Sequence, residues 1–352
     1  MTVEVRGRAG ATDATDQLLV LYTGGTIGMA AGPDGALVPQ DVSALAGSLH
    51  LLDDLPVGIT IAAFDPPIDS AAIRPQRWLE IADAIVDLAG DHRAIVVLHG
   101  TDTMAYTASA LSFLLEGVDR PIVVTGSQRP LVERRSDAER NLTAAAAFAL
   151  LRDAGGAPAV PEVTVAFNDV LLRGNRASKV HASSFSGFAS PNLPALGHSG
   201  VALTYEPQLV RRAGVGGLRR SGGLCTDVAT LRLHPALDQA TFEAVVLRPG
   251  LRGVVIEAYG AGNGPTEDWF LDGLRRASDS GVVALVTTQC HAGAVHAGQY
   301  ATGAALFDTG AVPGADLTFE AALAKLMVVL DGRSYDETVE LLQRDLAGEL
   351  TL

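Results

Sequence analysis

Residues 17–28 of the chain, QLLVLYTGGTIG, are a short apolar run that ends in a glycine pair between two threonines. A run this short is typical of a strand buried on both faces, as in a parallel sheet. Gly24 and Gly25 allow a sharp turn after it, because neither carries a Cβ. A second stretch of this kind, AIVVLHGTDTM at 94–104, predicts another buried strand and turn. Together they favour an α/β fold whose site lies beyond the carboxyl ends of its strands.

Short apolar runs alternate with amphipathic stretches through the first two thirds of the chain. This spacing predicts a mainly parallel sheet covered by helices on both faces. The predicted strands are 18–22, 59–64, 95–98, 122–125 and 163–167, and the predicted helices are 77–88, 104–115 and 137–151, the last with Ser136 as its cap.

The alternation is interrupted at 207–225, which holds five glycines, four arginines and no acidic residue. Such a composition predicts an exposed linker. Beyond it we expect strands at 254–256 and 282–286 and helices at 267–280, 320–330 and 336–347. The sequence thus predicts two α/β domains joined by this linker, a larger one at 16–206 and a smaller one at 226–352, after a flexible tail at 1–15.

The composition limits the partners and the compartment. With a net charge of −14, the chain is expected to repel nucleic acids and anionic membranes. Two cysteines, Cys225 and Cys290, are too few for a disulfide framework. The polar first fifteen residues lack the apolar core of a signal peptide, and no apolar run is long enough to span a membrane. We therefore expect a cytoplasmic protein.

The two predicted turns carry residues suited to nucleophilic catalysis. Thr26, beside free backbone N–H groups, could act as a nucleophile with its own oxyanion hole, although a plain strand-exit turn is the simpler alternative. A phosphate site is disfavoured, because no Gly-Lys-Ser/Thr ending follows. Thr101 beside Asp102 could polarise a nucleophile, whereas Asp102 alone could also be a helix cap.

Lys179 is the candidate proton carrier, since it is one of only two lysines among 26 basic residues and arginine cannot give up a proton near neutral pH. Other chemistries are disfavoured. Cys290, His291 and His296 do not have a zinc-site spacing, so no metal is expected. His99 follows an apolar strand and is expected to be buried and hydrogen-bonded. A Gly-x-Ser-x-Gly elbow is absent from the sequence.

At this point the residues resemble a known family, the bacterial-type L-asparaginases, and most closely their type I cytoplasmic branch. The resemblance covers about residues 17–352. It rests on two long segments, LYTGGTIGM (21–29) and LHGTDTMAYTASALSF (98–113), and on shorter ones. These are VTGSQRPL (124–131), RGNRASKVHA (173–182), FASPNLP (188–194), YGAGN (259–263) and TTQC with QYATG (287–303).

This resemblance implies hydrolysis of L-asparagine to L-aspartate and ammonia through a β-aspartyl ester, without metal or organic cofactor. It also implies a homodimer or homotetramer whose active sites combine one subunit's N-terminal domain with its partner's C-terminal domain. Residue by residue, the resemblance implies that Thr26 is the nucleophile and that Thr101 is the second threonine, acting with the Asp102–Lys179 pair. It implies that Ser70 binds the α-carboxylate of the substrate and that Asp102 also binds the α-ammonium. Asn263 is implied as the contact from a neighbouring subunit.

Two positions depart from the family pattern. The loop 30–37 lacks the tyrosine that many relatives place beside the nucleophile, so Lys179 acting through Thr101 is expected to take a larger share of its activation. Glu257 stands where some type I relatives carry an arginine that grips an activating second asparagine. Three alternatives stay open: an amidase that also accepts glutamine, a transamidation subunit, and an amino-acid sensor with weakened catalysis.

Overall fold

The computed structural model describes residues 2–10, 17–32, 34–35, 37–39, 52, 55, 57–297 and 301–351. They form two compact units. The first takes Met1–Ser190 and Pro194–Ser221, and the second takes Pro191–Leu193 and Gly222–Leu352. The prediction of two α/β domains, the first larger than the second, is confirmed, and the chain passes from one to the other at Ser221, within the predicted linker.

The N-terminal unit contains fifteen strands among its described residues. They are β1 Thr2–Gly10, β2 Gln17–Tyr22, β3 Met29–Ala31, β4 Leu37–Pro39, β5 Gly58–Asp65, β6 Ala94–Leu98, β7 Leu115–Glu116, β8 Ile122–Thr125, β9 Val163–Phe167, β10 Val170–Arg173, β11 Ser178–Lys179, β12 Phe188–Ala189, β13 Gly197–Ser199, β14 Leu203–Tyr205 and β15 Arg219–Arg220. Nine of them form one sheet in the order β1-β5-β2-β6-β8-β9-β10-β13-β14.

The centre of this sheet is parallel. Strands β5, β2, β6, β8 and β9 pair in parallel, while the outer strands are antiparallel. Both faces of β2 and β6 are buried, which explains their continuous apolar sequences. Helices α1 Pro75–Ala89, α2 Met104–Leu114 and α3 Ala138–Leu150 connect the parallel strands. Because the strands are parallel, the loops after β2, β6 and β8 leave the same edge of the sheet.

The predicted flexible tail at 1–15 is wrong over much of its length. Thr2–Gly10 is β1, which pairs antiparallel with β5 at the edge of the sheet. Arg6 also binds Asp65 at 2.8 Å. Backbone hydrogen bonds to an open strand edge provide this order, and the polar composition of the tail does not reveal them. Residues 1 and 11–15 of the predicted tail lie outside the described part of the chain.

Much of the predicted linker belongs to the N-terminal unit. Glu162 and Arg173 form a buried ion pair at 2.6 Å, and both also bind the 207–225 segment. Arg173 Nη2 donates to the Leu209 carbonyl at 2.6 Å, and the Arg211 amide donates to Glu162 at 2.6 Å. Strand β15 then pairs with β7. A buried ion pair must satisfy its remaining hydrogen-bonding groups, and this segment supplies two of the partners.

The C-terminal unit is built on a four-stranded parallel sheet. Its elements are β16 Val228–Arg232, α4 Gln239–Val246, β17 Gly253–Ala258, α5 Asp268–Asp279, β18 Val283–Thr288, α6 Ala301–Phe307, β19 Val312–Pro313, α7 Phe319–Val329 and α8 Tyr335–Leu342. Alternate residues of β17 face separate cores: Val254 and Ile256 pack with Phe270, and Val255 packs with Leu326. The sequence prediction missed β16, α4, α6 and β19.

Candidate active site

Thr26 lies at the start of a 3-10 turn, Thr26–Gly28, that follows β2 through Gly24 and Gly25. Both glycines have positive φ, 140° and 95°. A Cβ on Gly24 would collide with the Ile68 backbone, and one on Gly25 would collide with the backbone of Gly100. The glycine pair is therefore required by the close approach of two other segments, and it brings Thr26, which is half-buried, next to the loop after β6.

The loop after β6 carries Thr101 and Asp102. Strands β2 and β6 are neighbours in the sheet, so their loops leave side by side. Gly25 touches Gly100, and each glycine directly precedes one of the candidate threonines. Thr101 is 7% exposed, whereas the Asp102 carboxylate is 61% exposed. The two threonines predicted from separate motifs are thus brought together at one edge of the sheet.

Lys179, on β11, contacts both Thr101 and Asp102. Its Nζ donates to Thr101 Oγ1 at 2.9 Å and to Asp102 Oδ1 at 2.8 Å. The lysine side chain is 17% exposed, so most of it is shielded from solvent. Because Thr101 Oγ1 accepts from Nζ, its own hydrogen is free to point elsewhere. The sequence separation is 78 residues, and no local pattern could have revealed this contact.

Ser70 is buried against the same loops. It begins the 3-10 turn Ser70–Ala72, which Asp69 caps by accepting the Ala71 amide at 2.9 Å. Thr103 Oγ1 donates to the Ser70 carbonyl at 2.8 Å, and a Cβ on Gly100 would collide with Ser70 Oγ. Ser70 therefore lies beside the segment that carries Thr101 and Asp102.

His99 lies beneath this arrangement and is 1% exposed, as the sequence predicted for a buried, hydrogen-bonded histidine. Its Nδ1 is 2.7 Å from the Gly100 carbonyl, which can only accept, so Nδ1 carries the hydrogen. Nε2 then accepts the Thr107 hydroxyl at 3.0 Å. Burial lowers the pKa of His99 from 6.5 to about 4, and the Gly100 carbonyl opposes that shift. The ring is neutral and holds the Gly100 carbonyl in place.

A further support, missed by the sequence analysis, is Asp137. Its carboxylate accepts the backbone amides of Gln128 and Arg129 at 3.0 to 3.1 Å. This fixes the loop after β8, and Leu131 of that loop donates its amide to the Ile27 carbonyl in the Thr26 turn at 3.2 Å. The prediction made Ser136 the cap of this helix. Ser136 does accept the Ala138 amide at 3.0 Å, but Asp137 is the N-cap residue and its side chain is used by the loop.

Asn263 is not in the N-terminal unit with the other predicted site residues. It follows β17, where its backbone exchanges two hydrogen bonds with Tyr259 at 2.8 and 2.9 Å. Glu257 lies on β17 itself, and its Oε1 is 3.5 Å from Nη1 of Arg232 on β16. Lys325, the second lysine, has a structural position: its buried Nζ pairs with Glu349 at 2.6 Å.

The described segments contain no group of three or more His, Cys, Asp or Glu side chains arranged to hold a metal ion. No helix in the described part of the chain is long and apolar enough to cross a membrane.

The arrangement combines a hydroxyl on a tight turn, a second hydroxyl hydrogen-bonded to a lysine amino group, and a carboxylate facing solvent. A threonine hydroxyl becomes a nucleophile when a neighbouring group can take its proton. A lysine bonded to a hydroxyl is a group that can exchange protons through that hydroxyl. An exposed carboxylate beside them can bind a cation. These are the parts needed for acyl transfer from a small, positively charged substrate to a threonine hydroxyl.

Comparison with known proteins agrees with this geometry. Residues 17–211 match the family model described as "Asparaginase, N-terminal", and residues 227–342 match "Glutaminase/Asparaginase C-terminal domain". The chain is 40% identical to L-asparaginase 1 of Escherichia coli K12, over 95% of this chain and 98% of that protein.

The chain is also similar to a second curated protein and to a solved structure. The chain is 40% identical to the 60 kDa lysophospholipase of Mus musculus over 96% of its own length, but it spans only 63% of that protein. The crystal structure of L-asparaginase I from Vibrio cholerae superposes with a TM-score of 0.85 at 36% identity, covering 96% of this chain and 99% of that one. Two matching family models and near full-length likeness to L-asparaginase 1 confirm the predicted type I resemblance, and the chain belongs to the asparaginase family.

Proposed function

We propose that this protein is an L-asparaginase, an amidohydrolase that converts L-asparagine to L-aspartate and ammonia. The observation that carries the proposal is the contact of Lys179 with Thr101 and Asp102 beside the Thr26 turn. The near full-length likeness to L-asparaginase 1 of E. coli supports the same reaction.

In the proposed mechanism, Thr26 Oγ1 attacks the side-chain carbonyl carbon of asparagine. Lys179 acts in its neutral amine form: the Thr26 proton reaches it through Thr101, and the resulting ammonium then gives a proton to the leaving nitrogen, so that the C–N bond breaks and ammonia departs. Backbone N–H groups of the glycine turns and the Thr101 hydroxyl stabilise the oxyanion. Water then hydrolyses the β-aspartyl ester and regenerates Thr26.

We assign substrate binding to groups that fix both α-charges. Asp102 is exposed and suits the α-ammonium, and Ser70 suits the α-carboxylate. Holding both charges orients the carbonyl toward the nucleophile, which lowers the entropic part of the barrier. Asn263 is the contact we expect from a neighbouring subunit. This assignment requires a homodimer or homotetramer, and we propose a cytoplasmic location.

Ammonia release measured with asparagine, with glutamine and with neither substrate tests the proposal. An L-asparaginase releases ammonia from asparagine far faster than from glutamine. Comparable rates with both amides would favour the broader amidase. Binding of asparagine without ammonia release would favour the sensor and overturn the proposal.

A further inference from the structure

Lys179 is held by a very short piece of secondary structure. Strand β11 contains only Ser178 and Lys179, and it pairs only with Phe188 and Ala189 of β12. A two-residue ladder supplies few backbone hydrogen bonds. The position of the Lys179 side chain therefore depends on the segment that joins the two strands, residues 180–187, called here the 180–187 loop.

The 180–187 loop is closed from inside by one imidazole. The amides of Ser183 and Ser184 both donate to His181 Nδ1, at 3.0 and 2.8 Å. Nδ1 is the acceptor, so the hydrogen of the neutral ring is on Nε2. The two ends of the loop meet at Gly187, whose carbonyl accepts the amides of Val180 and His181 at 2.8 and 3.3 Å.

Two outside contacts hold the closed loop against the candidate site. Gln128 Nε2 donates to the Ser184 carbonyl at 2.9 Å, and Asn168 Nδ2 donates to Ser186 Oγ at 2.9 Å. Gln128 belongs to the loop after β8 that Asp137 fixes. The backbone of Ser184 is thus held on both sides: its amide binds His181, and its carbonyl binds Gln128.

We propose that His181 is a positioning residue, whose imidazole closes the 180–187 loop and thereby aligns Lys179 with Thr101. His181 is exposed and makes these contacts through a single ring nitrogen, so its side chain contributes no packing to a core. Without the acceptor, two amides lose their partner and turn toward solvent, and the loop loses its internal closure. The catalytic part of this inference rests on the proposed function.

The position of the acceptor can be tested with two amides of different length. In His181→Asn, Oδ1 is attached to Cγ, as Nδ1 is in histidine, and Asn readily accepts backbone amides two residues on. In His181→Gln the oxygen lies one bond further away. His181→Ala removes the acceptor, and His198→Ala removes another exposed histidine of the same unit, on β13 and outside this loop.

We expect His181→Ala and His181→Gln to lower kcat for asparagine about fivefold or more, with KM within about twofold, because misplacing a proton carrier slows chemistry more than binding. His181→Asn and His198→Ala should stay within about twofold of the wild type in kcat. Hydrogen exchange at the Ser183 and Ser184 amides should be fast in the Ala and Gln variants and slow in the wild type and in His181→Asn.

Three results would overturn this assignment. One is full kcat in His181→Ala, and another is equal impairment of the Asn and Ala variants. The third is a kcat loss that follows the unfolded fraction measured by urea denaturation. A wild-type protein that releases no ammonia from asparagine contradicts the proposed function itself, and the catalytic part of the inference with it. Unchanged amide exchange in His181→Ala refutes the loop closure alone.

Discussion

Acidification from pH 7 to pH 4.5 is expected to destabilise the protein through His99. The ring is buried, and the pKa is lowered from 6.5 in the unfolded chain to about 4 in the folded protein. Because the folded pKa is depressed, the unfolded state binds a proton that the folded state refuses. The contribution of neutral His99 to the free energy of unfolding is therefore fully present above pH 6.5. It falls as the pH drops from 6.5 to 4 and changes no further below that.

The size of this effect follows from the two pKa values. A lowering of the pKa from 6.5 to about 4 corresponds to about 3 kcal/mol in the limit of low pH. Between pH 7 and pH 4.5 the expected loss is about 2 kcal/mol. That is a large share of the roughly 5–15 kcal/mol by which proteins are stable.

The comparison of wild type with His99→Asn isolates this contribution. Asparagine keeps a donor for the Gly100 carbonyl but does not titrate. Urea unfolding of both proteins at pH 7 and pH 4.5 gives the free energy of unfolding of each. Carboxylates that titrate in this range affect both proteins and cancel in the difference. The free energy of unfolding of the wild type minus that of His99→Asn should be about 2 kcal/mol smaller at pH 4.5 than at pH 7. A difference that stays constant within about 0.5 kcal/mol would refute the buried neutral ring.

Three further predictions concern single positions. Lys179→Arg keeps the charge but cannot release a proton near neutral pH, so ammonia release should fall nearly as far as in Lys179→Met, and near-wild-type activity would mean that only the charge matters. Tyr22→Phe removes a buried hydroxyl that has no hydrogen-bond partner among the described residues. The free energy of unfolding should therefore increase by about 0–1 kcal/mol. A decrease of more than about 1 kcal/mol, measured by urea unfolding, would contradict this. The curve of initial rate against asparagine concentration should be hyperbolic, because Glu257 repels the carboxylate of a second asparagine and Arg232 is already paired with Glu257. A sigmoidal curve would show that a second asparagine still binds as an effector.

The sequence predicted the central parallel strands well because their signal is local. β2, β6, β8 and β9 are continuous apolar runs that end in turn residues, and their observed ends lie within one residue of the predictions. Parallel neighbours also bring the Thr26 and Thr101 turns to one edge, so part of the site was predictable from topology. The contact of Lys179 with Thr101 was only a hypothesis, since no local pattern encodes a contact across 78 residues.

The missed features depend on contacts between distant segments. β1 has a polar sequence and is ordered by the open edge of β5. The glycine- and arginine-rich 207–225 segment is typical of a linker, yet the buried Glu162–Arg173 pair binds its beginning. His181 carries no motif of its own, and its role as an acceptor is visible only once the loop is folded.

Thr26→Val tests whether Thr26 is the nucleophile. Valine keeps the β-branched shape and removes only the hydroxyl, so the half-buried turn should fold as before. Ammonia release from asparagine is measured for the purified variant, with urea unfolding as the check on its fold. We expect a folded protein with essentially no activity. A folded Thr26→Val that keeps a substantial fraction of the wild-type rate would contradict it and transfer the role to Thr101.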